Sequence, residues 1–153
     1  MNREIKFRAW IKESKQMVTV NAITFMSGGG YSIIPAPYDA TKAIPIGESL
    51  GVETGNVLMQ YTGLKDKNGR EIYEGDIIDY GYKKSVIVWY QSGWCSAGIN
   101  EKCCESNYFG KSPYQVYLEG GHCVEMDSVL GFHHTPKLIG HIYENPDLLT
   151  NNN

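Results

Sequence analysis

Four cysteines (Cys95, Cys103, Cys104, Cys123) and four histidines (His122, His133, His134, His141) are the side chains with the widest chemical range in this chain. Together they raise the question of zinc. Structural zinc sites present ligand pairs two to four residues apart, so that one turn aims both at the metal. No Cys-x-x-Cys occurs here, and the adjacent Cys103 and Cys104 diverge if that segment is extended. Free thiols and no bound metal or other cofactor are the expectation. A cysteine nucleophile needs a thiolate activated by a nearby histidine. Cys95 or Cys123 with His133 offers no spacing that would build one, so no catalytic residue is assigned.

Carboxylates cluster at Asp66, Glu71, Glu74 and Asp76. Paired acids can act as acid and base or hold a divalent cation. Each has a local task open to it instead: Asp66 can bond its own turn backbone, and Asp76 can stabilise a corner at Gly75. Ser27-Gly28-Gly29-Gly30 lacks the Gly-Lys-Ser/Thr end and following helix of a phosphate loop, and reads as a hairpin connection. Aromatic residues are dense at Tyr73, Tyr80, Tyr82, Trp89, Tyr90 and Trp94. They suit a core or a subunit contact, and beside Lys and Arg they can stack bases. Arg3, Lys6, Arg8, Trp10, Tyr80, Tyr82 and Trp94 form the candidate interaction surface.

The totals narrow the function classes. Net charge is −3, which gives no long-range field for nucleic acid. Residues 1–90 carry 11 Lys and Arg against 10 Asp and Glu, and residues 91–153 carry 3 against 7, so a mildly basic beginning joins an acidic remainder. Met1 is followed by polar residues rather than an apolar leader, and no window suits a membrane span. A cytoplasmic location with reduced thiols follows as the expectation.

Patterning predicts a mainly β chain with little helix. Residues 4–10 alternate and pair with Met17–Phe25 as an N-terminal hairpin. Proline and glycine break up Tyr31–Gly55, leaving a short strand near Tyr31–Ile34. Val57–Tyr61 is a strand, and Asn68-Gly69 closes a tight hairpin with Gly69 at positive φ. Glu71–Tyr73 leads through Gly75-Asp76 into Ile77–Tyr80, which pairs with Ser85–Tyr90. The continuous apolar run Val86–Tyr90 predicts a central strand covered on both faces. Residues 91–113 read as a long excursion, followed by strands at Tyr114–Leu118, His122–Met126 and Lys137–Tyr143. Pro146 suits a first helical position, so Pro146–Leu149 should add a helical turn. The predicted architecture is the hairpin and irregular connection (1–56), then a small SH3-like β-barrel (57–149). The two are integrated into one domain with a frayed tail at 150–153.

Three segments carry a family resemblance. Leu58–Ile78, containing Tyr61-Thr62-Gly63-Leu64-Lys65-Asp66-Lys67-Asn68-Gly69 and Tyr73-Glu74-Gly75-Asp76, resembles the central signature of the YopX family. Arg3-Glu4-Ile5-Lys6-Phe7-Arg8-Ala9-Trp10 and Ile139-Gly140-His141-Ile142-Tyr143-Glu144-Asn145-Pro146-Asp147-Leu148-Leu149 extend the match across the chain. Relatives more often show Asn at the position of His141. The resemblance implies a small phage- or prophage-encoded protein without an assigned activity. The expectation is a non-catalytic binding or assembly protein in the bacterial host cytoplasm that self-associates or meets a host or phage protein. A nucleic-acid-binding accessory protein is the alternative, and a hydrolytic enzyme the third reading.

Overall fold

The structure, a computed structural model, describes residues 4–27, 30–36, 50–51, 56–90, 92–99, 113–119, 127–128 and 135–150. The chain divides into two compact units, Met1–Tyr61 and Thr62–Asn153. The division falls within the strand Val57–Lys65.

The first unit is an antiparallel sheet. Strands β1 (Phe7–Ile11), β2 (Gln16–Phe25), β3 (Tyr31–Pro35), β4 (Leu50–Gly51) and the first part of β5 (Val57–Lys65) lie in the order β4-β3-β2-β1-β5. The expected N-terminal hairpin is present, with Trp10 opposite Met17 and Ile11 opposite Gln16. Alternation places Ala9, Ile11 and Ile33 in one buried cluster with Val18, Val20, Ile23 and Leu58 against it. Phe25 pairs with Tyr31 at the far end of β2, so the Ser27–Gly30 stretch does connect a hairpin.

In the second unit the end of β5 lies beside β6 (Glu71–Tyr73). The hairpin between them has Gly69 at φ +81°, and the Gly69 N–H bonds the Asp66 carbonyl at 2.9 Å. Asp66 N–H to Arg70 carbonyl closes the ladder at 2.8 Å, leaving a three-residue loop with glycine in the left-handed position. Five further strands follow: β7 (Asp76–Asp79), β8 (Lys84–Tyr90), β9 (Gly93–Gly98), β10 (Asp127–Ser128) and β11 (Lys137–His141). They form an open sheet in the order β10-β9-β8-β7-β11.

The central strand is β8. Its Val86 and Val88 join Ile77, Ala97, Ile99 and Tyr114 on one face, while Ile87 joins Ile72, Ile78 and Trp94 on the other. Both faces are therefore covered, as the apolar run predicts. The SH3-like barrel is not confirmed: among the described residues the order ends on β10 and β11 and no barrel closes. A strand sealed on both sides belongs to a layered sheet, because a small barrel wall has one inner face.

Two expectations are corrected. Residues 93–98 are a strand and not part of an excursion. Tyr90 pairs with Gly93 across a two-residue connection in which Ser92 takes φ +68°. That turn has no Asn or Gly, so the usual hairpin signal is missing. Tyr114–Leu118 is helix α1 (Pro113–Leu118) rather than a strand. Pro113 occupies the first helical position, and Tyr114 and Tyr117, three apart, stack at 6.2 Å on the same side. Burial pushes the Tyr114 hydroxyl above its usual pKa, with Tyr143 and Tyr117 adding to the effect. The helical turn expected at Pro146–Leu149 is a 3-10 turn. Segment His122–Met126 lies outside the described residues.

Ile87 is fully buried at the centre of the sheet, so Ile87→Ala is expected to cost about 2–5 kcal/mol. Tyr82→Ala, at a 72% exposed tip, is expected to stay within about 0.5 kcal/mol. Urea unfolding of the two variants side by side measures the contrast.

Candidate functional site

Among the described residues of the second unit, the chemically richest place is the corner where Tyr73–Asp76 meets Gly140–Leu148. Gly75 stands at φ +77°, a conformation that glycine adopts without steric cost. Its N–H donates to the Ile87 carbonyl at 2.8 Å, and its carbonyl accepts from Ile142 N–H at 3.1 Å. One residue thus ties the β6–β7 corner to the central strand and to the segment after β11.

The next residue seals the corner. Asp76 is 1% exposed, and its Oδ2 accepts the Tyr73 N–H at 2.7 Å. The Glu71 carboxylate accepts the Tyr73 hydroxyl at 2.8 Å. His141, also 1% exposed, lies opposite Asp76 in the β7–β11 register. Tyr143 N–H donates to His141 Nδ1 at 3.3 Å, so that nitrogen carries no proton. The hydrogen then sits on Nε2 and points to the Glu74 carbonyl, also at 3.3 Å. Both ring nitrogens thus meet main-chain groups.

Close packing completes the arrangement. A Cβ on Gly75 would lie 2.5 Å from His141 Nε2. A Cβ on Gly140 would lie 2.6 Å from Asn145 Oδ1 and 2.8 Å from the Leu148 methyl. That same Asn145 oxygen accepts the His141 N–H at 3.1 Å, and Asn145 N–H returns to the His141 carbonyl at 2.8 Å. Ile142, Leu148 and Leu149 then pack on the cluster around Val86 and Val88.

The second acid of the signature is also committed. Asp66 accepts Asn68 N–H at 2.8 Å and Arg70 N–H at 2.9 Å, as its turn position suggests. Its Oδ2 receives Arg70 Nε and Nη2 at 2.9 and 2.7 Å and Leu138 N–H at 3.1 Å. Burial by itself raises the carboxyl pKa, but these donors outweigh it and hold the group well below the usual carboxylate range.

The candidate surface residues divide by exposure. Lys6 is half-exposed, pairs with Glu4 at 2.9 Å and stands 5.7 Å over the Tyr61 ring. Arg8 and Tyr80 are half-buried, and Tyr82 is open to solvent. Trp10 and Trp94, at 8% and 6% exposure, are buried rather than displayed. Trp94 sits under Trp89 in an edge contact of 4.8 Å, leaving Trp89 as the exposed indole of that pair. Arg3 lies outside the described residues. The β7–β8 tip brings Tyr80 and Tyr82 to 5.9 Å, with the Lys83 ammonium 5.6 and 5.9 Å from their rings. Neither Lys83 nor the exposed Phe25 and Met26 at the end of β2 was singled out from sequence.

Among the described residues no group of three His, Cys, Asp or Glu is placed to hold a metal ion. Cys95 is half-buried with its sulfur 4.0 Å from the Tyr90 carbonyl. Cys103, Cys104, Cys123, His122, His133 and His134 lie outside the described residues. No helix among the described residues is long and apolar enough to cross a membrane.

Two outcomes test the corner. Gly69 and Gly75 both have positive φ, but only Gly75 has a neighbour in the path of a Cβ. Ala at either is expected to cost about 1–2 kcal/mol from backbone strain, with a further 1 kcal/mol or more at Gly75. Paired denaturation curves would show that difference. The depressed Asp66 pKa contributes stability that is complete above the unfolded value of 3.8 and is lost as pH falls below it. Asp66→Asn is expected to flatten that acid limb in melts run from pH 6 to pH 2.

The family model for YopX protein matches residues 6–150. The crystal structure of YopX from Bacillus subtilis superposes with a TM-score of 0.56 at 18% identity, covering 97% of this chain and 98% of that one, a likeness of fold. Protein EF1440 from Enterococcus faecalis matches at 26% identity over 97% of this chain and 100% of its own, with a TM-score of 0.45. No curated protein is similar enough to register as a match. With nearly its whole length matched by the family model, this chain belongs to the YopX family.

Proposed function

We propose that this YopX-family chain is a non-catalytic binding or assembly protein, encoded by a phage or prophage and acting in the host cytoplasm as a self-associating unit. The carrying observation is how its polar side chains are used. Asp66, Asp76 and His141 each accept or donate to main-chain groups, which is scaffold work. Large apolar side chains, by contrast, stand in solvent at strand ends: Phe25 at 77%, Met26 at 52% and Tyr82 at 72%. Contiguous exposed apolar surface is what marks a partner-binding site, and the adjacent Phe25 and Met26 are the start of such a patch. Phage origin and location follow from the family resemblance rather than from geometry.

One observation favours the nucleic-acid reading. The exposed Tyr82 ring, beside Tyr80 and near the ammonium of the buried Lys83, suits stacking on a base. Against it stands the net charge of −3. The hydrolytic reading has the least support, since Asp66 and Asp76 are both committed to backbone N–H groups.

Light scattering across a wide concentration range tests the assembly reading. A mass at a multiple of 17.2 kDa is expected; a constant monomer mass contradicts it. Salt-sensitive retention on heparin or DNA, abolished by Tyr82→Ala, would move the assignment to nucleic acid.

A further inference from the structure

We propose that Tyr90, Tyr114, Tyr117 and Tyr143, with the Glu74 carboxylate beside them, form a site for an organic cation whose charge sits on a quaternary ammonium group. The proposal goes beyond the assembly reading and does not depend on it. Sheet register brings three of these residues to one end of the second unit. His141 lies opposite Asp76 and Ile77 opposite Val86, so the chain just before β7, just after β11 and at the close of β8 share that end. Glu74, Tyr143 and Tyr90 are the side chains there. Tyr90 packs on the cluster of Val86 and Val88, the same cluster that Tyr114 and Tyr117 of α1 join from above.

The rings make a corner. Tyr90 and Tyr117 have centroids 6.4 Å apart and planes at 76°, while Tyr114 lies nearly parallel to Tyr117, at 17° and 6.2 Å. An ammonium about 4.5 Å from each of two perpendicular ring faces, inside the reach of a cation–π contact, holds their centroids about 6.4 Å apart. Exposure grades across the corner. Tyr114 is buried, Tyr90 and Tyr117 are half-buried, and Tyr143 is exposed, the profile of a recess with a floor and a mouth.

Electrostatics favours a cation there. Burial pushes the Tyr117 hydroxyl above its usual pKa, and the Glu74 carboxylate adds to the effect. The negative field that disfavours a phenolate attracts an ammonium. On the larger scale, residues 91–153 carry 3 Lys and Arg against 7 Asp and Glu, so this part of the sequence draws cations in. The residue types then select among cations. A lysine ammonium is compact and strongly hydrated, and loses much on entering an aromatic recess. A guanidinium brings five N–H donors, more than one carboxylate satisfies. A quaternary ammonium needs no acceptor and lays its methyl groups on ring faces.

Choline and a trimethyl-lysine peptide carry this group, one free and one on a polypeptide. Both are titrated into the whole chain with the tyrosine ring signals followed by NMR. Dimethylbutanol, the uncharged isostere of choline with carbon in place of nitrogen, is the control for shape. Saturable shifts confined to Tyr90, Tyr114, Tyr117 and Tyr143 are expected with at least one of the two cations, and the tighter one identifies the source. The isostere should bind about tenfold more weakly than choline. Glu74→Gln should weaken choline by about threefold and narrow its lead over the isostere. Absence of saturable binding by either cation overturns the proposal. So do shifts lying outside the four rings, or an unchanged choline affinity in a natively folded Glu74→Gln. Equal affinity for choline and its isostere also overturns it, because the recess is then an apolar crevice. Should Glu74→Gln lose its native spectrum, the contrast between choline and its isostere on the unaltered chain still decides.

Discussion

Gly75 is the residue on which the second unit turns. Its amide reaches the carbonyl of Ile87 in the central strand, its carbonyl holds the amide of Ile142, and the open space left by its missing Cβ receives the His141 ring. Remove the positive φ and the corner between β6 and β7 changes direction. Fill the space and β11 has to retreat from β7. The neighbouring Asp76 fixes the same corner from inside by capping Tyr73 N–H. Pro146–Leu149 is drawn in last, through Asn145, which bonds His141 in both directions. The pieces of sequence that carry the family likeness in this unit are thus one physical object.

That convergence bears on function by showing where the polar groups are already used. A carboxylate and an imidazole facing each other across two strands resemble catalytic equipment when read as a list of residue types. Their described bonds run to main-chain groups: Asp76 accepts the Tyr73 amide, and the His141 ring nitrogens meet the Tyr143 amide and the Glu74 carbonyl. Large apolar side chains exposed among the described residues are of another kind and include Ile5, Phe25, Met26, Tyr82, Trp89 and Leu118.

Much of the fold was legible because local signals agreed. The β1–β2 hairpin, the Asn68-Gly69 loop, the Gly75-Asp76 corner and the buried Val86–Val88 run all follow from period, turn chemistry and β-branched content. The misses have identifiable physical causes. Strand β9 is built from Gly, Cys, Ser and Ala around one Trp, so its alternation is faint, and its turn relies on Ser92 at positive φ. Helix α1 was hidden by the strand propensity of Tyr and Val, although Pro113 and the Tyr114–Tyr117 spacing pointed the other way. Closure into a barrel is a matter of long-range order that no window of residues encodes. Trp94, one of the candidate surface residues, is buried, and Trp89 shields it through cross-strand pairing, which only the register reveals. The Asp66–Arg70 spacing around the loop hinted at a pair, but its contact with Leu138, 72 positions further on, could not be read from local sequence.

Native-state hydrogen exchange tests most directly whether the signature corner is scaffold. The amides of Tyr73, Gly75 and Ile142 should exchange only through global unfolding, with the same free energy as Ile87 at the sheet centre. Equal protection at all four, with equal dependence on denaturant, is the result this account predicts. Exchange of Tyr73, Gly75 and Ile142 through a low-energy local opening, while Ile87 stays protected, would contradict it and mark the corner as a moving part with work of its own to do.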